Sequence, residues 1–184
     1  MLLTRDKSQL LIIDVQDKLL AAMSGKDRLV ERCVRLLHAA KALQIPITAS
    51  QQYPQGLGST TAPIREALGN ASPMIDKVEF SCLKNEALRE RLHELRRQGR
   101  PQVVIGGIEA HVCVIQTAID LEEQGFEAFV VADAISSRAK TSKRLALMRL
   151  LKAGADIVDS EMVLFEWLGR AGTPEFKELQ ALVK

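Results

Sequence analysis

The sequence predicts a doubly wound, three-layer α/β fold, a six-stranded and mostly parallel sheet with helices on both faces. Three observations predict it. Short apolar runs alternate along the chain with longer segments of helical period. The first run, Gln9-Leu10-Leu11-Ile12-Ile13, is continuous rather than alternating, as suits a strand covered on both faces. Gly99, Gly125 and Gly154 punctuate the ends of helical segments. Strands separated by helices of this length pair in parallel through right-handed crossovers.

Each element follows from local pattern. Ser8 to Val15 reads as the first strand. Asp27 to Leu43 places Leu29, Cys33, Leu36, Leu37 and Ala40 at helical spacing, and Ile45 to Ser50 is the second strand, with Pro46 tolerated near its start. After a loop rich in Gly, Ser, Thr and Pro (54–63), a short helix near Ile64 to Leu68 precedes a short third strand, Met74 to Val78. Asn85 to Gln98 is helical, Gln102 to Ile105 is strand four, and a glycine turn leads into a helix that carries Cys113 and runs to Gln124. Phe126 to Ala132, Ser142 to Lys152 and Asp156 to Val158 read as strand, helix and strand. Met162 to Leu168 and Pro174 to Val183 read as helices, and Trp167 should pack against a neighbour or a second subunit.

Composition bounds the function. With 184 residues, 47% apolar and 26% charged, the chain suits one domain spanning residues 1–184 with a sizeable core. Its 25 basic and 23 acidic residues leave a formal charge of +2, too small to imply a nucleic-acid partner. Arg91, Arg96, Arg97 and Arg100 cluster, but Glu90 and Glu94 interleave them, as on a solvated helix face. Three cysteines, with no CxxC spacing and no nearby histidine pair, imply neither a disulfide framework nor a zinc site. No apolar window reaches membrane-span length and no leader pattern opens the chain, so no membrane partner and a cytoplasmic location are expected.

Chemistry concentrates at three places. Ile105-Gly106-Gly107-Ile108-Glu109-Ala110-His111-Val112-Cys113 runs from a strand through two glycines to a cysteine opening a helix. There the unpaired N–H groups and helix dipole favour a thiolate, which predicts a depressed pKa; a buried, inert cysteine is the rival reading. Asp14 follows the first strand at its carboxyl end, the edge where ligands collect in open α/β sheets. Lys77 lies in the short extended segment before Phe80-Ser81. A capping carboxylate and a solvent-facing lysine are the bland readings of those two.

Taken in order, the Asp after strand one, the Lys before Phe-Ser and the Cys after Gly-Ile-Glu-Ala-His-Val resemble the isochorismatase-like cysteine hydrolase family, over Leu10 to about Trp167. The resemblance implies strand order 3-2-1-4-5-6, which brings Asp14 and Cys113 together across the switch point. It implies Cys113 as nucleophile on a small amide-like or related C–N substrate through a thioester-type intermediate, Asp14 as proton acceptor and Lys77 as the adjacent positive charge. It further implies a cis peptide at Ile108-Glu109, with the N–H groups of Glu109 and Cys113 forming an oxyanion hole, and a homo-oligomer, dimer or tetramer. Gln16, Gln52, Tyr53, Phe80 and His111 are candidates to line the substrate pocket, though Tyr53 and Phe80 also read as core packing.

Departures narrow this. Nicotinamidases of the family carry an Asp-x-His type metal site after the second strand; Ser50-Gln51-Gln52-Tyr53-Pro54-Gln55-Gly56-Leu57-Gly58 stands there, so no metal and no other cofactor are expected. That run resembles the isochorismatase-domain-containing subgroup. True isochorismatases lack the cysteine nucleophile, which disfavours vinyl-ether hydrolysis, and Ala110 replaces the threonine many relatives have. Two other classes compete: a dinucleotide-binding domain, which the failed GxGxxG spacing disfavours, and a non-catalytic scaffold.

Overall fold

The computed structural model describes residues 1–183. Six strands, β1 (Ser8–Ile13), β2 (Ile47–Gln52), β3 (Met74–Lys77), β4 (Gln102–Ile108), β5 (Glu127–Ser136) and β6 (Asp156–Val158), form one sheet in the order β3-β2-β1-β4-β5-β6. Every neighbouring pair is parallel. The helices are α1 (Asp17–Leu20), α2 (Lys26–Ala42), α3 (Pro54–Leu57), α4 (Ala62–Leu68), α5 (Glu86–Arg97), α6 (Ile115–Glu123), α7 (Lys140–Lys152), α8 (Ser160–Leu168) and α9 (Pro174–Gln180).

Alternate residues of each central strand feed two cores. Leu10 and Ile12 of β1, with Val104 of β4 and Phe129 of β5, pack beneath α2, α4 and α8. Leu11 and Ile13, with Val103, Ile105 and Val130, pack beneath α5, α6 and α7. The continuous apolar run of β1 is therefore buried throughout, as a strand sandwiched between helix layers requires. Trp167 is turned inward on α8 and donates from Nε1 to Ser8 Oγ at 2.9 Å, so its packing partner is this chain rather than a second subunit. Val163 and Leu164 are buried beside it; only Met162 and Phe165 of that apolar segment stay exposed.

The structure revises the glycine turn. Gly106 and Gly107 lie inside β4, which continues to Ile108. Glycine in a strand marks close backbone approach as readily as a turn. At Gly107, φ is +123° and a Cβ would overlap the Ile13 carbonyl oxygen and stand 2.6 Å from the Ile13 nitrogen. Side-chain-free backbone is thus what lets β4 reach past the end of β1. β5 is likewise longer than expected, because after a register shift its last residues, Ile135 and Ser136, pair with Gly107 and Ile108. The short helices α1 and α3 escape periodicity because each is one turn of four residues.

Gly107→Ala should destabilise the protein by about 3 kcal/mol or more, since φ and contact both oppose a side chain. Gly106→Ala should lose about 1 kcal/mol, because its Cβ would meet chiefly the movable Ile12 Cδ1 at 3.3 Å. Urea unfolding of both variants checks the contrast; equal midpoints would overturn it.

Candidate active site

β1 ends at Ile13 and the next residue, Asp14, takes φ +54°. Asp tolerates that left-handed conformation better than most residues. Its amide donates to Ser50 O at 3.1 Å, which ties the turn to the end of β2. The carboxylate is fully buried and held from two sides: Ser50 Oγ donates to Oδ1 at 2.7 Å and Lys77 Nζ to Oδ2 at 2.7 Å. Both partners of the Lys77–Asp14 ion pair have side chains without solvent exposure.

Lys77, the last residue of β3, finds further acceptors in Gln52 Oε1 and in the carbonyls of Glu79 (3.1 Å) and Phe80 (3.3 Å). Burial pulls its pKa down, but Asp14 and the neighbouring Cys82 and Cys113 sulfurs push harder the other way, leaving it above the usual lysine value. The ammonium is therefore a fixed charge here.

Gln52 joins these groups. Its main-chain N–H donates to Gln16 Oε1 at 2.7 Å, and Gln16 Nε2 returns bonds to Gln52 O (3.0 Å) and Gly58 O (2.6 Å). Gln16 thereby fixes the loop after β2, and its amide is committed to backbone. Gln52 Nε2 donates to Val78 O at 2.8 Å, which turns Oε1 toward Lys77 and leaves it 4.0 Å from Cys113 Sγ. Tyr53 N donates to Lys77 O at 2.8 Å. Tyr53 and Phe80 are 52% and 54% exposed, which rules out core packing for either ring.

Cys113 does not open an α-helix. Ala110–Val114 form a wide π-helical turn in which Glu109 O accepts from Val112 N (3.0 Å) and Val114 N (3.2 Å), and α6 begins only at Ile115. The thiol is 5% exposed. Its pKa stands well above the ordinary thiol value, raised first by burial and then by Asp14, against the opposing pull of Lys77. The expected depression is thus reversed: in a nearly dry site beside a carboxylate, desolvation outweighs one ammonium. The Ile108–Glu109 peptide is cis. Glu109 Oε2 accepts from Arg138 N and Nε, each at 3.2 Å. His111 Nδ1 lies 2.9 Å from Ser137 Oγ and 3.9 Å from Glu109 Oε2, so that ring nitrogen is engaged away from the sulfur.

Two participants escaped the sequence reading. Ser50 anchors Asp14, and Cys82 Sγ lies 3.8 Å from Ser50 Oγ while its amide donates to Thr117 Oγ1. The available signal was register: with β1 beside β2, Ile13 pairs Ser50 and so sets it at the same edge as Asp14. Among the described residues no group of three or more His, Cys, Asp or Glu is placed to hold a metal, and no helix is long and apolar enough to cross a membrane.

Alkylation by iodoacetamide should select Cys113 through access rather than acidity, because Cys33 and Cys82 are wholly buried, with pKa values pushed up by burial to about 12 and about 11. A raised thiol pKa means the rate should climb by about tenfold per pH unit from pH 7 to 9 without a plateau. Peptide mapping checks the site; a plateau near neutrality would show a depressed pKa instead.

Comparison with known proteins places the chain in a family. The isochorismatase domain family matches residues 8–162. Isochorismatase domain-containing protein 2 of Pongo abelii is 36% identical over 96% of this chain and 83% of its own. The structure of MAR1 ribonuclease from Caenorhabditis elegans superposes with TM-score 0.92 and 34% identity, covering 100% of this chain and 92% of that one. The YcaC gene product of Escherichia coli, called an octameric hydrolase of unknown specificity, shares the fold with TM-score 0.89 at 21% identity over 99% of this chain and 90% of that one. By fold and by sequence along most of its length, the chain belongs to the isochorismatase family, whose hydrolase fold it has.

Proposed function

We propose that this protein is a cysteine hydrolase of small amide-like or related C–N compounds, with residues 1–184 acting as one catalytic unit. The observation that carries the reading is the buried Lys77–Asp14 ion pair, steadied by Ser50, with the Cys113 thiol beside it and Gln52 Oε1 between lysine and sulfur. A buried ion pair at a sheet edge contributes little net stability. It suits a site that must move a proton.

The thiol starts neutral, so it needs a base in the attacking step. Cys113 Sγ attacks the carbonyl carbon while its proton passes to Asp14, and a C–S bond forms. The N–H groups of Glu109 and Cys113 receive the oxyanion. Collapse breaks the C–N bond, and the leaving nitrogen takes the proton from Asp14. Water then attacks the thioester, giving one proton to Asp14 and from there to sulfur, and releases the acid. Lys77 stays charged throughout and keeps the carboxylate oriented. Tyr53 and Phe80, joined to Lys77 through its main-chain and ammonium contacts, offer apolar surface to the substrate.

The ribonuclease name of the nematode relative raises RNA as a substrate. Against it stand the +2 formal charge and reactive groups that are 5% exposed or less, which favour a small molecule. Self-association is part of the proposal: Leu145, Met148 and Leu151 stand exposed along α7, and the E. coli fold relative is called octameric.

On any substrate found by screening small amides, carbamoyl compounds and imides, Cys113→Ala, Asp14→Asn and Lys77→Ala should each lower kcat by about 10³ or more, and double variants should lose little beyond that. Near-normal turnover by Asp14→Asn with loss in His111→Ala would replace the mechanism by a Cys–His pair. Light scattering at micromolar concentration should give a multiple of the chain mass; a monomer would remove the assembly claim.

A further inference from the structure

A cavity of about 470 Å³ opens between the start of α2, the second half of β5 and the first turns of α7, and none of its lining residues is Asp14, Lys77 or Cys113. Three cations line it, Arg28, Lys140 and Lys143, and among the described residues none of them makes an ion pair. Two carboxylates also line it, but both are already engaged. Asp133 accepts from Ser160 N (2.8 Å) and Ser160 Oγ (2.7 Å) and pairs with Arg32 Nε at 3.3 Å. Asp159 caps α8 through Met162 N at 2.7 Å. Asp133 is thus compensated by a cation and Asp159 by a helix N–H alone, so three unpaired cations share the cavity with one carboxylate that has no cationic partner.

Lys143 sharpens the imbalance. Burial lowers its pKa; Asp133 opposes that shift, Arg28 reinforces it, and the net direction is down. The cost at Lys143 is chiefly desolvation, only partly offset by Asp133, and a bound anion would reduce it further. The cavity also borders the start of α2, a helix of 17 residues whose cap, Gly25, supplies no side-chain acceptor to the first-turn N–H groups. A Cβ built at Gly25 would meet nothing within 4 Å, so the space before that turn is open. Asp27, exposed and outside the cavity lining, already puts a carboxylate in that first turn, so the preference for negative charge at this end of the cavity rests mainly on the cations, with the open helix start adding N–H donors. Leu29, Ala132 and Ile135 supply apolar wall elsewhere.

We propose that this cavity is a second ligand site, for a small phosphate monoester, with the phosphate between the start of α2 and the Arg28, Lys140 and Lys143 side chains and the organic group against Leu29, Ala132 and Ile135. A dianion with several acceptor oxygens uses three cations and a helix start more fully than a carboxylate does. The volume suits a small metabolite. The fixed carboxylates on the same wall disfavour a polyphosphate chain running through it.

Calorimetry on the purified protein tests this with phenyl phosphate as probe and with inorganic phosphate, benzoate and a single-stranded oligoribonucleotide as comparisons. Phenyl phosphate should bind once per chain, tighter than inorganic phosphate and tighter than benzoate. Arg28→Gln and Lys143→Gln should each weaken it by about tenfold or more, Lys143→Arg should restore most of the loss, and Cys113→Ala should leave it unchanged. Thermal melting of each variant confirms that it is folded. The proposal is overturned by no saturable binding up to about 10 mM, by binding indifferent to Arg28→Gln and Lys143→Gln, by loss of binding in Cys113→Ala, or by the oligoribonucleotide displacing the probe. Because the reading of the Cys113 site rests on turnover, either can fail without the other.

Discussion

The ion pair between Lys77 and Asp14 is the constraint around which the rest of the site is arranged. Two opposite charges with no solvent exposure are tolerable only if each is paired and further hydrogen-bonded, and breaking such a pair costs about 3–5 kcal/mol. The partners come from strands that are not neighbours: Asp14 follows β1, Lys77 ends β3, and β2 lies between. The intervening strand must therefore supply what the pair lacks. It does so from alternate positions, with Ser50 Oγ on the carboxylate and Gln52 Oε1 on the ammonium, because residues two apart in a strand face the same way.

The same constraint reaches the backbone. Asp14 and Tyr53 both adopt positive φ where their strands end, and both are held there by main-chain bonds to the adjacent strand, Asp14 N to Ser50 O and Tyr53 N to Lys77 O. On the other side of β1, Gly107 lets β4 pass so close to Ile13 that no side chain could stand between them. That approach brings the Cys113 turn to the edge where Asp14 lies. Polar burial at the edge thus rests on apolar packing along β1, whose six residues are all buried.

Much of the fold was readable because burial and period speak together. β1, α2 and α5 lie within two residues of their expected bounds, since each carries a long, consistent apolar pattern. What misled the reading was glycine, whose two uses, turning a chain and letting another chain approach, look alike in one dimension. Residues such as Ser50 and Cys82 gain their roles only from neighbours 36 and 32 positions away, so no local pattern marks them. The acidity of Cys113 was misjudged for a related reason. The α-helix expected to open at Cys113 starts at Ile115, and neither that displacement nor the degree of burial is written in sequence.

A raised thiol pKa and a nucleophilic role for Cys113 are compatible once the carboxylate is considered as a receptor of protons. An ionised carboxylate offers about four lone-pair positions, and Ser50 and Lys77 take one on each oxygen of Asp14. The others remain for the thiol proton. Lys77 cannot serve as acceptor, since its raised pKa keeps it an ammonium, and the Nδ1 of His111 is engaged with Ser137. On the proposed reaction the site keeps sulfur neutral and protected until a carbonyl carbon arrives to share its developing charge. On that reaction the proton passes to Asp14, and the ion pair that holds this carboxylate in place also ties the end of β1 to the end of β3 across β2.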